Sequence, residues 1–147
     1  MKNKLLLFFL LTGFVSLYAN QISQDDAAKV AGLFIKTKSA PALRRVSVSE
    51  NSTDKPAYYV YTGEDGKGFV IVSADDVAHP ILGYSKTNSF RCDSVTTNIS
   101  YMLRKYEDMI KVARELELKP TEQVQEEWNE LYRAANTGIL TDEEKPA

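Results

Sequence analysis

Gly68-Phe69-Val70-Ile71-Val72-Ser73-Ala74-Asp75-Asp76, followed by Pro80-Ile81-Leu82-Gly83-Tyr84-Ser85, is the stretch that decides the fold. Phe69 to Val72 is a run of aromatic and β-branched residues, the composition of a strand. Tyr58-Tyr59-Val60-Tyr61 has the same character. Between the two runs, Thr62-Gly63-Glu64-Asp65-Gly66-Lys67-Gly68 forms a glycine-punctuated turn of hairpin length or slightly more. Both runs are apolar on each face, which predicts a sheet covered on one side and partly on the other. Asp75-Asp76 ends the second strand and hydrogen-bonds its own turn. Pro80 then leads into a further strand at Ile81-Leu82-Gly83-Tyr84. Upstream, the alternation in Arg44-Arg45-Val46-Ser47-Val48-Ser49 suits a short edge strand.

Helical periodicity flanks this region. Ser23 is an N-cap with Asp26 in the first turn, and Ala27, Val30, Ala31 and Phe34 recur at helical spacing. That helix is expected to end near Lys38, before Pro41. From Asn98, the residues Ile99, Leu103, Tyr106, Ile110 and Ala113 make one apolar stripe, widened by Met102, Met109 and Leu116. Arg104, Lys105, Glu107, Asp108, Lys111 and Arg114 occupy the opposite face. Lys119-Pro120 breaks this helix. Thr121 caps another, anchored by Val124, Trp128, Leu131 and Tyr132 and ending near Gly138. The order of elements argues for an α+β domain, an antiparallel sheet of about four strands with two to three helices packed on it.

The ends of the chain are of a different kind. Lys2 and Lys4 precede an apolar run from Leu5 to Tyr18, broken only by Thr12, Gly13 and Ser16, and Ala19 is a small residue suited to cleavage. Leu17 is larger than the usual occupant of its place. This is the layout of a secretory signal peptide, and the run is shorter than the roughly 18–20 apolar residues of a spanning helix. The expected organisation is a signal peptide at 1–19, one domain at 20–138 and a polar tail at 139–147. Export, to the periplasm or beyond the cell, follows, with no stable membrane insertion after cleavage.

Composition leaves room for one core: 44% of the 147 residues are hydrophobic. The 18 basic and 20 acidic residues nearly cancel, so there is no basic footprint for nucleic acid. The chain has one Cys and one His. Cys92 cannot form an internal disulfide, so packing alone must hold the fold. Cys92 and His79 would form a dyad only if the fold brought them together. His79 beside Pro80 sits in a turn, and no oxyanion-hole motif accompanies either. Asp75-Asp76 and Asp142-Glu143-Glu144 lack the spacing of a calcium loop. The glycines at 63, 66 and 68 open no helix and make no phosphate cradle. The reading is of a non-enzyme without metal or cofactor.

The combination of Gly68 to Asp76 with Pro80 to Ser85 resembles the propeptide of streptopain-family cysteine proteases and the stand-alone, Spi-type inhibitors related to it. That family places an aromatic strand before a Gly-Gly-Phe-Val-Ile-Val-Ser hairpin strand, then an Ile-Leu-Gly-Tyr-Ser strand. Tyr58 to Tyr61 takes the first place here, and Lys67-Gly68 replaces the double glycine. Asn88-Ser89-Phe90 matches a turn ending in Ser-Phe, and Asn98-Ile99 with Tyr106 matches an Asn-led amphipathic helix. The likeness runs from the Ala-rich first helix to the Trp128 helix. Cys92 departs from it, since relatives more often carry an acidic residue there.

The resemblance implies a secreted inhibitor that blocks the active-site cleft of a streptopain-like, papain-fold cysteine protease without covalent chemistry. In the family, the loop before the long helix fills the cleft, and an Asn displaces the catalytic His from the Cys; Asn98 is the matching residue. A carboxamide both donates and accepts hydrogen bonds and carries no charge to desolvate. Read without the family, Asn98 is a helix N-cap. Thr97, Ile99, Met102 and Phe90 are expected as further contacts. Three other readings stay open: a propeptide segment of a zymogen that inhibits and aids folding, an exported binding module that inhibits nothing, and a small hydrolase using Cys92.

Overall fold

The computed structural model describes residues 20–35, 44–48, 55–63, 65–91 and 97–138. Along the chain these form α1 (Gln24–Phe34), β1 (Arg44–Val48), β2 (Tyr58–Thr62), β3 (Phe69–Ser73), β4 (Ile81–Ser85), α2 (Thr97–Glu115) and α3 (Glu122–Thr137). The strands lie in the order β1-β2-β3-β4, each antiparallel to its neighbour. In the β2–β3 hairpin, Tyr58 opposes Ser73 and Thr62 opposes Phe69. Gly66 and Gly68 close it with φ of 73° and 74°, where a side chain would strain the backbone. β1 joins as the outer strand beside β2, with a register shift between Arg45 and Ser47.

The two apolar faces of the hairpin explain the layering. Successive side chains of a strand point to opposite faces. Tyr59, Tyr61, Val70 and Val72 therefore share one side with Ala27, Val30 and Ala31 of α1 and Val124, Trp128 and Leu131 of α3. Tyr58, Val60 and Ile71 face the other side, against Leu103 and Ile110 of α2. The sheet was expected to be only partly covered on its second face. Instead, helices cover both faces, because α2 supplies a second apolar stripe. The buried hydroxyls and the indole are satisfied within the core. Tyr59 donates to Ile22 O (3.2 Å), Tyr61 to Gln24 O (2.8 Å) and Trp128 Nε1 to Ala78 O (3.0 Å). In β4 a bulge offsets the register, so that Ile71 opposes Gly83 but Val72 opposes Ile81. The extra residue, Leu82, packs with the α2 side while Ile81 and Tyr84 pack with the α1–α3 side.

Helix ends follow local chemistry. Ser23 Oγ accepts from Asp26 N, and Thr121 Oγ1 from Val124 N, so both expected caps form. Gly138, at φ 70°, closes α3. Two boundaries differ from expectation. α1 stops at Phe34 rather than near Lys38, with Ile35 extended. α2 already begins at Thr97, so Asn98 is inside its first turn and is not its N-cap. At the far end of α2, Leu118 N donates to Ala113 O and Glu117 N to Arg114 O, with Glu117 at φ 50°. This is the reverse turn usually given to glycine.

The apolar stripe of α2 also needs correction. Ile99, Leu103, Tyr106, Ile110 and Ala113 are buried or half-buried, as expected. Met109 and Leu116, expected to widen the core, are 50% and 65% exposed. Glu107 and Arg114, expected on the solvent face, are buried and half-buried. At about 100° per residue, Met109 and Leu116 lie roughly 100–120° from Ile110, past the edge of the sheet contact. Glu107 and Arg114 lie within about 60° of it on the other flank.

Candidate functional site

The first turn of α2 is where the sequence placed the site. Asn98 is exposed there. Ile99, one position on, is half-buried and packs with the α2-side core. Met102, one turn further, is half-buried. Phe90 approaches from the chain after β4, its ring 5.5 Å from that of Phe69 at 60°. The structure thus brings Phe90 and Ile99 to the same core and leaves Asn98 on the outside of the helix. Thr97 opens the helix. Cys92 and the loop before Thr97 lie outside the described residues, as do the expected signal segment and C-terminal tail.

Helix geometry extends this site along α2. Asn98, Met102, Met109 and Leu116 all fall roughly 80–120° from Ile110, on one flank of the helix. Tyr101, 59% exposed, stands nearby with Lys105 Nζ 5.3 Å from its ring centre. The flank is therefore an apolar strip in solvent, headed by a carboxamide. Sequence reasoning missed its outer part. The available signal was the number of apolar positions on α2, more than one buried face of a helix can hold.

Met109 and Tyr106 also wall an open groove of about 820 Å³. Its other wall comes from Val124, Glu127 and Leu131 of α3, and its floor from residues 77–84. The sheet separates α2 from α3, so a groove touching both opens past the outer edge of β4. That edge carries backbone N–H and C=O groups that no strand among the described residues pairs. At its mouth, His79 Nδ1 lies 2.6 Å from Glu127 Oε2. His79 is exposed, so this pair holds the surface weakly.

The other end of α2 is clamped. Arg114 Nε donates to Asp75 Oδ2 at 2.7 Å, and its two terminal nitrogens donate to Lys55 O and Pro56 O at 2.9 Å each. Asp75 Oδ1 accepts from Val77 N as well, so it keeps the turn expected of it and holds α2 besides. Among the described residues no three His, Cys, Asp or Glu side chains gather to hold a metal ion. No described helix is long and apolar enough to cross a membrane.

A family model for Spi protease inhibitors matches residues 19–110, well over half of the 147. The chain belongs to the Spi protease inhibitor family. A search of curated proteins found no match. The Spi match takes in α1, the whole sheet and α2 as far as Ile110, and all of Phe90, Thr97, Asn98, Ile99 and Met102. It ends short of the Trp128 helix, to which the sequence resemblance extended. Spi proteins are a family of inhibitors, not of catalysts, and protease inhibition is the function that membership carries.

Proposed function

We propose that this Spi family member inhibits a streptopain-like, papain-fold cysteine protease by reversible, non-covalent occlusion of the active-site cleft. The enzyme meets the first turn of α2, with Asn98 at the nucleophile and Thr97, Ile99, Met102 and Phe90 around it. The observation that carries this reading is the exposed carboxamide of Asn98 on a helix whose far end is held by Arg114 and Asp75. A side-chain amide offers the nucleophile no scissile backbone bond and can bond both members of a thiolate–imidazolium pair. The first turn of α2 contains no acidic residue, so the positive end of the helix dipole is uncompensated and suits a thiolate.

One residue cannot supply a tight complex, which needs roughly 1,200–2,000 Å² of total buried surface. The strip Met102–Met109 and the groove beside β4 continue from Asn98 and would supply part of it. A clamped helix loses little freedom on docking, which lowers the cost of association. Export through residues 1–19, to the periplasm or the outside of the cell, completes the proposal. It would place the inhibitor on the route of an exported protease and protect the producing cell.

The test is titration of a streptopain-like protease with the mature protein, wild type beside Asn98→Ala and Met102→Ala. Wild type should inhibit stoichiometrically. Asn98→Ala should raise the inhibition constant about 10–100-fold, the loss of one or two desolvated hydrogen bonds. Equal inhibition by wild type and Asn98→Ala would remove Asn98 from the site while keeping the inhibitor. Absence of inhibition across several such proteases would overturn the target class.

A further inference from the structure

Asn20, the first described residue, is held by several bonds. Ile22 N donates to Ala74 O (2.9 Å) and Asp76 N to Asn20 O (3.1 Å), and Gln21 bridges Asp75. These bonds set Asn20 N 2.7 Å from Asp76 Oδ1, while Asn20 Nδ2 donates to Asp76 Oδ2 at 3.3 Å. A pocket of about 330 Å³ surrounds the pair, lined by Asp26, Gln125, Asn129 and Tyr132 among others.

The charges facing this nitrogen are unbalanced. Asp26 of α1 has Lys29 at 2.9 Å, and Asp75 has Arg114 at 2.7 Å. Asp76, between them, has no Lys or Arg partner among the described residues. Desolvation raises its carboxyl above the ordinary range, with Asp75 adding to the rise and the bonds from Asn20 opposing it. Tyr132 of α3 is pushed to about 12, by burial first and then by Asp26 and Asp76. Among the described residues no cation balances Asp76 in this pocket, and the atom aimed at its carboxylate is a chain nitrogen. A peptide nitrogen has one hydrogen to give, whereas a terminal ammonium has three and a full charge.

We propose that the chain is processed between Ala19 and Asn20 and that the new α-ammonium group of Asn20 seats on the Asp76 carboxylate. An export peptidase would hydrolyse the bond. Water supplies the hydroxyl that completes the Ala19 carboxylate and the hydrogen that completes the Asn20 amine. The amine then takes a further proton from solvent at neutral pH. The proposal rests on the signal-peptide reading and is independent of which protease the protein inhibits. Cleavage thereby supplies the missing cation and locks the first residues against the β3–β4 connection.

Asp76, with Asp26, Asp75 and Tyr132 around it, raises the folded α-amino pKa above its ordinary value of about 7.7–8.0. Its stabilisation is then complete below that value and is lost as pH rises through the folded pKa.

Two measurements test this. The full chain, exported from a bacterial host, should carry Asn20 as its first residue by intact-mass analysis; any other start overturns the proposal. Residues 20–147 are then prepared with a free or an acetylated Asn20, each with and without Asp76→Asn. At pH 6.5 the free-amine form should melt about 3–6 °C above the acetylated form. That difference should vanish in Asp76→Asn and at pH 10. Asp76→Asn should lower the midpoint of the free form more than that of the acetylated one, which keeps only the amide bonds to Asp76. Equal midpoints of the two wild-type forms at pH 6.5 would overturn the proposal, even if Asp76→Asn fails to fold.

Discussion

Replacing Arg114 by Met removes the guanidinium that ties α2 to the segment before β2 and the turn after β3, and leaves its stem nearly isosteric. Asp75 is 2% exposed in its side chain and Arg114 24%, so the carboxylate is the buried member. Breaking a buried pair by deleting one partner costs about 3–5 kcal/mol, mostly as the stranded charge. Water can reach the side that Arg114 vacates, and Lys55 is exposed, so its carbonyl can be rehydrated, whereas Pro56 is buried and its carbonyl loses this donor. The expected cost is therefore about 3–4 kcal/mol. In urea this moves the midpoint down by about 1–2 M, and on heating by roughly 10 °C. Trp128 is the only tryptophan and reports the α3 face, while circular dichroism reports all helices. Coincident transitions by the two probes license the free-energy comparison. Adding Asp75→Asn to Arg114→Met should recover part of the loss, since the stranded charge is gone. A cost under about 1 kcal/mol for Arg114→Met, or a double variant no more stable than the single, would refute the clamp.

The hairpin and the α3 pocket give two further expectations. Gly66→Ala and Gly68→Ala impose similar backbone strain, but a Cβ at Gly68 would meet Ser85 O and Lys86 O at 3.1 Å and one at Gly66 meets nothing within 4 Å. Gly66→Ala should cost about 1 kcal/mol and Gly68→Ala about 2–3 kcal/mol by urea midpoint; equal costs would rule out the close approach of Gly68 to the end of β4. Burial and the charges of Asp26 and Asp76 hold the Tyr132 phenol at about 12. The folded state keeps a proton that the unfolded chain releases near pH 10, so this contribution is present below about 10 and lost toward 12. Tyr132→Phe should flatten the fall in urea midpoint between pH 9.5 and pH 11.5, modestly because the ring is half-exposed; an unchanged slope would remove Tyr132 from the titration.

Much of the fold was legible because its signals are local. Tyr58 to Tyr61 and Phe69 to Val72 are strand-formers separated by glycines, and neighbours alone decide that. Ser23, Thr121 and Gly138 mark helix ends through bonds to residues three or four positions away. Of the candidate site, Asn98 and its neighbours were identified through a family pattern. Their roles in the structure differ according to which side of α2 each takes. Phe90 and Ile99 turn toward the sheet, while Asn98 turns away from it.

The sequence by itself determined the α+β class, the hairpin and the inner stripe of α2. Each is set by composition and period within a few residues. Only the tertiary structure decided that α2 lies on the opposite face from α1 and α3, that Met109 and Leu116 stand in solvent, and that Arg114 reaches Asp75. The same holds for Asn20 beside Asp76. Those two polar pairs join residues 39 and 56 positions apart. No periodicity specifies such partners, because each depends on how whole elements stack, and stacking is chosen by the total surface they bury.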